Sequence, residues 1–132
     1  MAMALTTETF IHHPELSYEI VGAAFSVFNE LGSGLQEKTY EDAMAIEFNN
    51  RGLKFQRQLR VPVEYMGVKV GTHILDFLVE EKIVVELKVG NYFERGNINQ
   101  LKKYLVSMGL SLGIILNFTR FGVRQKRIVN GS

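Results

Sequence analysis

Two carboxylates and a lysine stand out in the segment from Ile74 to Lys88, which reads ILDFLVEEKIVVELK. Asp76 and Glu86 each interrupt the most apolar and β-branched stretch of the chain, and Lys88 follows Glu86 by two positions. A carboxylate in such surroundings is costly unless it is paired or bound to a cation. If the chain reverses symmetrically about Glu81, residues whose numbers sum to 162 face each other, Asp76 with Glu86 and Ile74 with Lys88. Alternation then projects Asp76, Glu86 and Lys88 from one face. Two carboxylates opposed in this way repel, and a divalent cation between them removes the conflict. Oxygen ligands with retained water suit Mg²⁺. Lys88 could orient or deprotonate a water, or neutralise charge on a phosphate, and these are the parts of metal-assisted hydrolysis. The arrangement depends on register, because a slip of one residue moves a strand's side chains to the other face. Periodicity alone also admits a plainer alternative, a surface hairpin whose polar side carries ordinary charges.

The elements that must position these residues are legible from periodicity. Leu16, Ile20, Ala23, Ala24, Val27, Phe28 and Leu31 recur at spacings of three and four, which predicts a helix from Pro14, stopped by Gly32 and Gly34. A second helix is expected from Gln36 to Asn50, with Gly52 beyond its end. The period then changes to two. Phe55–Val63 and Val68–Val70 read as strands about a Met66-Gly67 turn, followed by strands at Ile74–Val79 and Ile83–Val89. A third helix is expected over Asn97–Met108, then a buried strand at Leu112–Phe118 and an edge strand at Arg124–Val129. A meander followed by a crossover helix implies an α/β fold, a mixed sheet with helices on both faces.

Composition bounds the rest. The 132 residues suit one core, and 46% hydrophobic content is ordinary for a folded domain. We read residues 1–13 as a loosely held arm and 14–132 as a single domain, with His12 and His13 on the surface. The absence of cysteine excludes disulfides and thiolate metal sites and fits a reducing cytoplasm. No apolar run reaches membrane-spanning length, and no secretory signal is expected at the N-terminus. A net charge of +1 announces no nucleic-acid partner by itself. Arg51, Lys54, Arg57 and Arg60 form one basic stretch, and Arg120, Arg124, Lys126 and Arg127 form another; charge alone favours solvated faces for both.

Asp76 with Glu86-Leu87-Lys88 resembles the signature of the PD-(D/E)xK nucleases, although Leu75 stands where the name-giving proline is expected. Gly34-Leu35-Gln36-Glu37-Lys38-Thr39-Tyr40 is similar to the signature of the GxxExxY proteins, a branch of that superfamily. The likeness continues through Arg51-Gly52-Leu53, Gln100 to Leu105 and Ile115-Leu116-Asn117-Phe118. The resemblance implies a restriction-endonuclease-like core with Mg²⁺, or Mn²⁺ in its place, held by Asp76, Glu86 and the backbone carbonyl of Leu87. It puts Lys88 in the catalytic lysine position and Glu37 in that of the first-helix acid. Gln100 and Tyr104 match the glutamine-x-x-x-tyrosine motif of RecB-like nucleases, which helps position the site and the nucleic-acid strand. Helical spacing agrees that Glu37 and Tyr40 point to one place and that Gln100 and Tyr104 share a face. The same spacing leaves room for plainer roles, a first-turn acid complementing the helix dipole at Glu37 and packing for Tyr40 and Tyr104. His73, three residues before Asp76, falls on the opposite face of a regular strand and is left out of the site.

Two readings follow. One is a metal-dependent nuclease acting on DNA, with a homodimer or larger complex supplying the surface to clamp a duplex. The other is a catalytically silent module that keeps the fold and binds nucleic acid or protein.

Overall fold

A computed structural model describes residues 12–91 and 95–130. Helix α1 spans Pro14–Leu31 and α2 spans Glu37–Asn50. Strands β1 (Phe55–Tyr65), β2 (Val68–Val79) and β3 (Ile83–Val89) form an antiparallel meander. Helix α3 (Arg95–Met108) then carries the chain to β4 (Leu112–Thr119), parallel to β3, and β5 (Gly122–Val129) returns antiparallel. The sheet order is β1-β2-β3-β4-β5, so the expected mixed sheet with helices on both faces is observed. Most of the expected N-terminal arm lies outside the described residues.

Each helix lies where its apolar stripe meets the sheet. Ile20, Ala23, Ala24 and Val27 of α1 join Tyr40, Met44 and Phe48 of α2 over Phe77, Val85, Leu87, Ile114 and Phe118. Leu101, Tyr104 and Leu105 of α3 cover Leu78, Val84 and Ile115 on the other side. Two glycines permit close approach. A β-carbon on Gly113 would sit 2.9 Å from Leu101 Cδ2, and one on Gly22 would sit 2.9 Å from Arg51 Nη1. Through the second gap Arg51 bonds Glu19 Oε1 at 2.9 Å and Ser26 Oγ at 3.0 Å while holding Glu47 Oε2 at 2.8 Å, which fastens the end of α2 to α1.

Three local expectations are corrected. The two apolar runs at Val68–Val70 and Ile74–Val79 are one strand, because Gly71, Thr72 and His73 continue the ladder opposite Val63, Pro62 and Val61. His12 is buried, since the chain entering α1 runs back over β5 and its carbonyl accepts from Arg127 Nη2. The first basic stretch is no purely solvated face: Arg51 and Arg57 are bound into ion pairs with helix acids. The expected Met66-Gly67 turn is present, and both residues have positive φ (52° and 81°), as the two-residue turn of a twisted hairpin requires.

The meander departs from a regular sheet at one level. Pairing of β1 with β2 runs continuously from Phe55↔Val79 to Val63↔Gly71, except that Gln58 and Asp76 are unpaired. Residues two apart in a strand normally share a face. Here Leu75 packs under α3 whereas Phe77 packs under α1 and α2, and in β1 Leu59 and Phe55 divide in the same way. Both strands therefore make a half-turn at Gln58 and Asp76, and Gln58 takes it up with a left-handed φ of 53°.

Candidate active site

The half-turn exposes Asp76 to two neighbourhoods. Toward β3, the ladder expected from symmetric reversal about Glu81 is present in Phe77↔Val85, Leu78↔Val84 and Val79↔Ile83, and it stops there. Asp76 and Glu86 are not a backbone pair, and Ile74 does not pair with Lys88. Instead the Asp76 N–H donates to Glu86 Oε1 at 2.7 Å, and the Leu87 N–H donates to Asp76 Oδ2 at 2.8 Å. Each carboxylate thus caps the other strand's backbone where the ladder lapses. Sequence reasoning placed these side chains together; what joins them is side-chain-to-backbone bonding rather than facing positions on a flat ribbon.

Charge in this position is strained. Burial raises the Glu86 carboxyl to about 8, with the charge of Asp76 adding to it. Burial also raises Asp76, against the lowering by the Leu87 N–H, and the charge of Glu41 raises it further. Glu37, at the first turn of α2, is raised by burial and then by Asp76, so it lies within electrostatic reach of the pair. The positive charge of Lys88 acts to lower all three carboxylates, which puts it beside them as the Glu-x-Lys spacing anticipates.

On the α2 side a recess of about 590 Å³ is lined by Glu37, Lys38, Glu41, Arg57, Gln58 and Asp76. Glu41 is buried there (5% exposed) and compensated: Arg57 reaches its Oε2 at 2.7 Å and 3.0 Å, and Gln58 Nε2 donates to its Oε1 at 3.0 Å. Sequence reasoning gave Glu41, Arg57 and Gln58 no part in the site. Their partnership is set by α2 lying across β1, and no local motif announces it.

On the α3 side, Gln100 hydrogen-bonds Tyr104, and burial followed by the charge of Glu86 raises the Tyr104 hydroxyl. Both residues border a groove of about 560 Å³ whose opposite wall is Pro62, Val63 and Glu64 of β1. His73 belongs to this side and not to the opposite one. Its ring stacks on Tyr104 with centroids 4.5 Å apart, and its Nε2 is 3.7 Å from Glu86 Oε2. A regular strand would put His73 on the face opposite Asp76; the half-turn between Leu75 and Phe77 breaks that alternation. Burial, then the charge of Lys88, lowers the His73 pKa. Tyr40, by contrast, has a packing role: it stacks on Phe118 at 4.2 Å and donates to the Gly32 carbonyl at 2.6 Å, which closes the turn between the helices.

The donor set can be tested against a metal. Among the described residues no three His, Asp or Glu side chains form a ready-made cluster. Asp76 and Glu86 are nevertheless partly buried oxygen donors whose ionisation is opposed first by burial and, at Glu86, also by the charge of Asp76, and a hard divalent cation would relieve that opposition. The residues fit such an ion.

The mixed five-stranded sheet, carrying a partly buried acidic pair beside a lysine, is consistent with a nuclease-like α/β domain. The sequence matches the family model of the PD-(D/E)XK nuclease superfamily over residues 14–128, and the chain belongs to that superfamily. Its members generally hydrolyse phosphodiester bonds and typically use divalent metals. A solved structure described as the crystal structure of SSO0001 is 15% identical with a TM-score of 0.49; the match covers 92% of this chain and 59% of that one. No curated protein matches the chain. Among the described residues no helix is long and apolar enough to cross a membrane.

Proposed function

We propose that this chain is a divalent-cation-dependent nuclease of the GxxExxY branch that hydrolyses phosphodiester bonds in DNA. One observation carries the reading: Asp76 and Glu86, both partly withdrawn from water, are locked together by reciprocal bonds to each other's backbone where the sheet ladder stops. Asp76, Glu86 and the Leu87 carbonyl would hold Mg²⁺, with Mn²⁺ as a substitute. When bound, the ion would supply Lewis acidity and a more acidic water.

The remaining work falls to the chain. The two backbone bonds hold the carboxylates in place beforehand, so little ordering is left for the binding step. Lys88 would hold the attacking water or the scissile phosphate through its ammonium. Glu37 would orient water at the rim, toward α2. Gln100 and Tyr104 would position the strand in the groove beside α3, and His73 stiffens that wall by stacking on Tyr104. A domain this small leaves little surface for a duplex, so a homodimer or larger complex, working in the cytoplasm, belongs to the same proposal.

The test is a cutting assay on linear, circular and single-stranded DNA, and on RNA, with Mg²⁺ or Mn²⁺. Cation-dependent cutting of DNA is expected, and it should disappear in Glu86→Ala and in Lys88→Ala. Cutting that survives both substitutions would sink the assignment. Binding of DNA without cutting by the wild type would leave the alternative, a silent binding module.

A further inference from the structure

Asn117 lies near the end of β4, 1% exposed, between Lys88 of β3 and Arg124 of β5 in the strand register. Its side chain shares a face with Ile115, which packs under α3. Residues directly opposite on neighbouring strands project to the same side, close enough for side chains to meet. The amide's orientation is determined by its donor: Nδ2 donates to the Gly90 carbonyl at 2.6 Å. That leaves Oδ1 as a buried acceptor, and among the described residues it has no partner. A buried carbonyl without a donor is costly, and its persistence needs an explanation. Lys88 brings three donors on a flexible stem to the adjacent position. On the other flank Arg124 Nη1 donates to the Asn91 carbonyl at 3.3 Å.

We infer that Asn117 is a positioning residue for Lys88. A turn of the Lys88 side chain brings its ammonium to Oδ1, which has no donor among the described residues in this structure, while Nδ2 holds the carbonyl of Gly90, so one amide braces the lysine side chain and the backbone that follows it. The remaining ammonium protons are then aimed toward Asp76 and Glu86. What the lysine does when so aimed rests on the nuclease reading; the contact itself does not.

The contact is tested on the full chain without added metal, by measuring the rate at which a dilute acylating reagent modifies Lys88, relative to exposed Lys102, by mass spectrometry. Asn117→Leu removes donor and acceptor and should raise Lys88 reactivity severalfold. Asn117→Asp keeps an acceptor but loses the donor to Gly90, and Lys88 should stay at or below wild-type reactivity. Should Asn117→Leu fail to fold, Asn117→Ala takes its place. Identical labelling across the variants overturns the inference, as does Asn117→Asp behaving like Asn117→Leu, which would reduce the residue to an anchor for Gly90. In the cutting assay, Asn117→Leu should lower kcat by about 10²-fold, the scale of a misoriented catalytic group, with KM and the Mn²⁺-induced gain in melting temperature retained. Asn117→Asp should recover most of that loss. Labelling that responds as described in a protein that cuts nothing supports the contact and removes the nuclease reading alone.

Discussion

The two ends of the β2–β3 hairpin make opposite use of the same backbone. Near the turn, Phe77, Leu78 and Val79 pair with Val85, Val84 and Ile83 in a regular ladder, and their side chains fill both cores. One residue further from the turn, pairing gives way to two bonds from backbone N–H groups to the carboxylates of Asp76 and Glu86. The apolar end derives its stability from burial and holds the strands in register. The polar end accepts an electrostatic penalty that a proton on Glu86 relieves and that a bound cation would relieve in its place. A site of this kind needs both, because the carboxylates stay close only while the ladder beside them is intact.

The largest effects should separate the two ends. Glu86→Ala is expected to lower kcat by at least about 10²–10³-fold, the scale for losing a group that organises transition-state charge, and to leave the fold in place by circular dichroism. Phe77→Ala should do the reverse, costing about 3–5 kcal/mol in urea unfolding while the folded fraction still cuts. If Phe77→Ala removed activity without loss of stability, the division of labour would be wrong.

A second, smaller contrast concerns the cation. Mn²⁺ should raise the melting temperature of the wild type, since a ligand that binds only the folded state stabilises it. Asp76→Ala should lose that gain, whereas Phe77→Ala should keep it despite a lower baseline.

The pH dependence should then report the strain. Without metal, the folded protein holds Glu86 near 8, against an ordinary value of 4.5 for the unfolded chain. Between those limits the folded state keeps a proton that the unfolded state has lost. This group's contribution is therefore fully present below about 4.5 and is lost as pH rises toward 8. Asp76, also raised, has the same sign. Glu86→Gln should flatten that part of the stability profile measured by denaturant unfolding. Added Mn²⁺ should bind more tightly as pH rises, because it displaces the proton.

The smallest effect is expected at Gln58. Its left-handed backbone makes Gln58→Val cost about 1–2 kcal/mol in thermal unfolding, whereas Gln58→Gly should be nearly neutral, relief of the positive φ offsetting the lost bond to Glu41. Equal costs for the two would mean that the half-turn is not held at this residue.

Much of this molecule was determined by local pattern. The stripe from Leu16 to Leu31, the Met66-Gly67 turn, the reversal about Glu81 and the continuous apolar run of β4 follow from periodicity and turn chemistry, which act over a few residues. Those same rules bring Asp76 near Glu86. Only the tertiary structure decided how the two meet. Glutamine has no marked preference for positive φ, so nothing in the sequence marks Gln58 as the point where two strands turn over together. That turn carries His73 to Tyr104 and Glu86, contrary to regular alternation. The burial of Glu41 under Arg57 and Gln58, 16 and 17 residues away, likewise waits on α2 crossing β1. Local sequence specifies conformations that each segment can stabilise alone, whereas a strained residue or a buried charge survives only when distant segments compensate it.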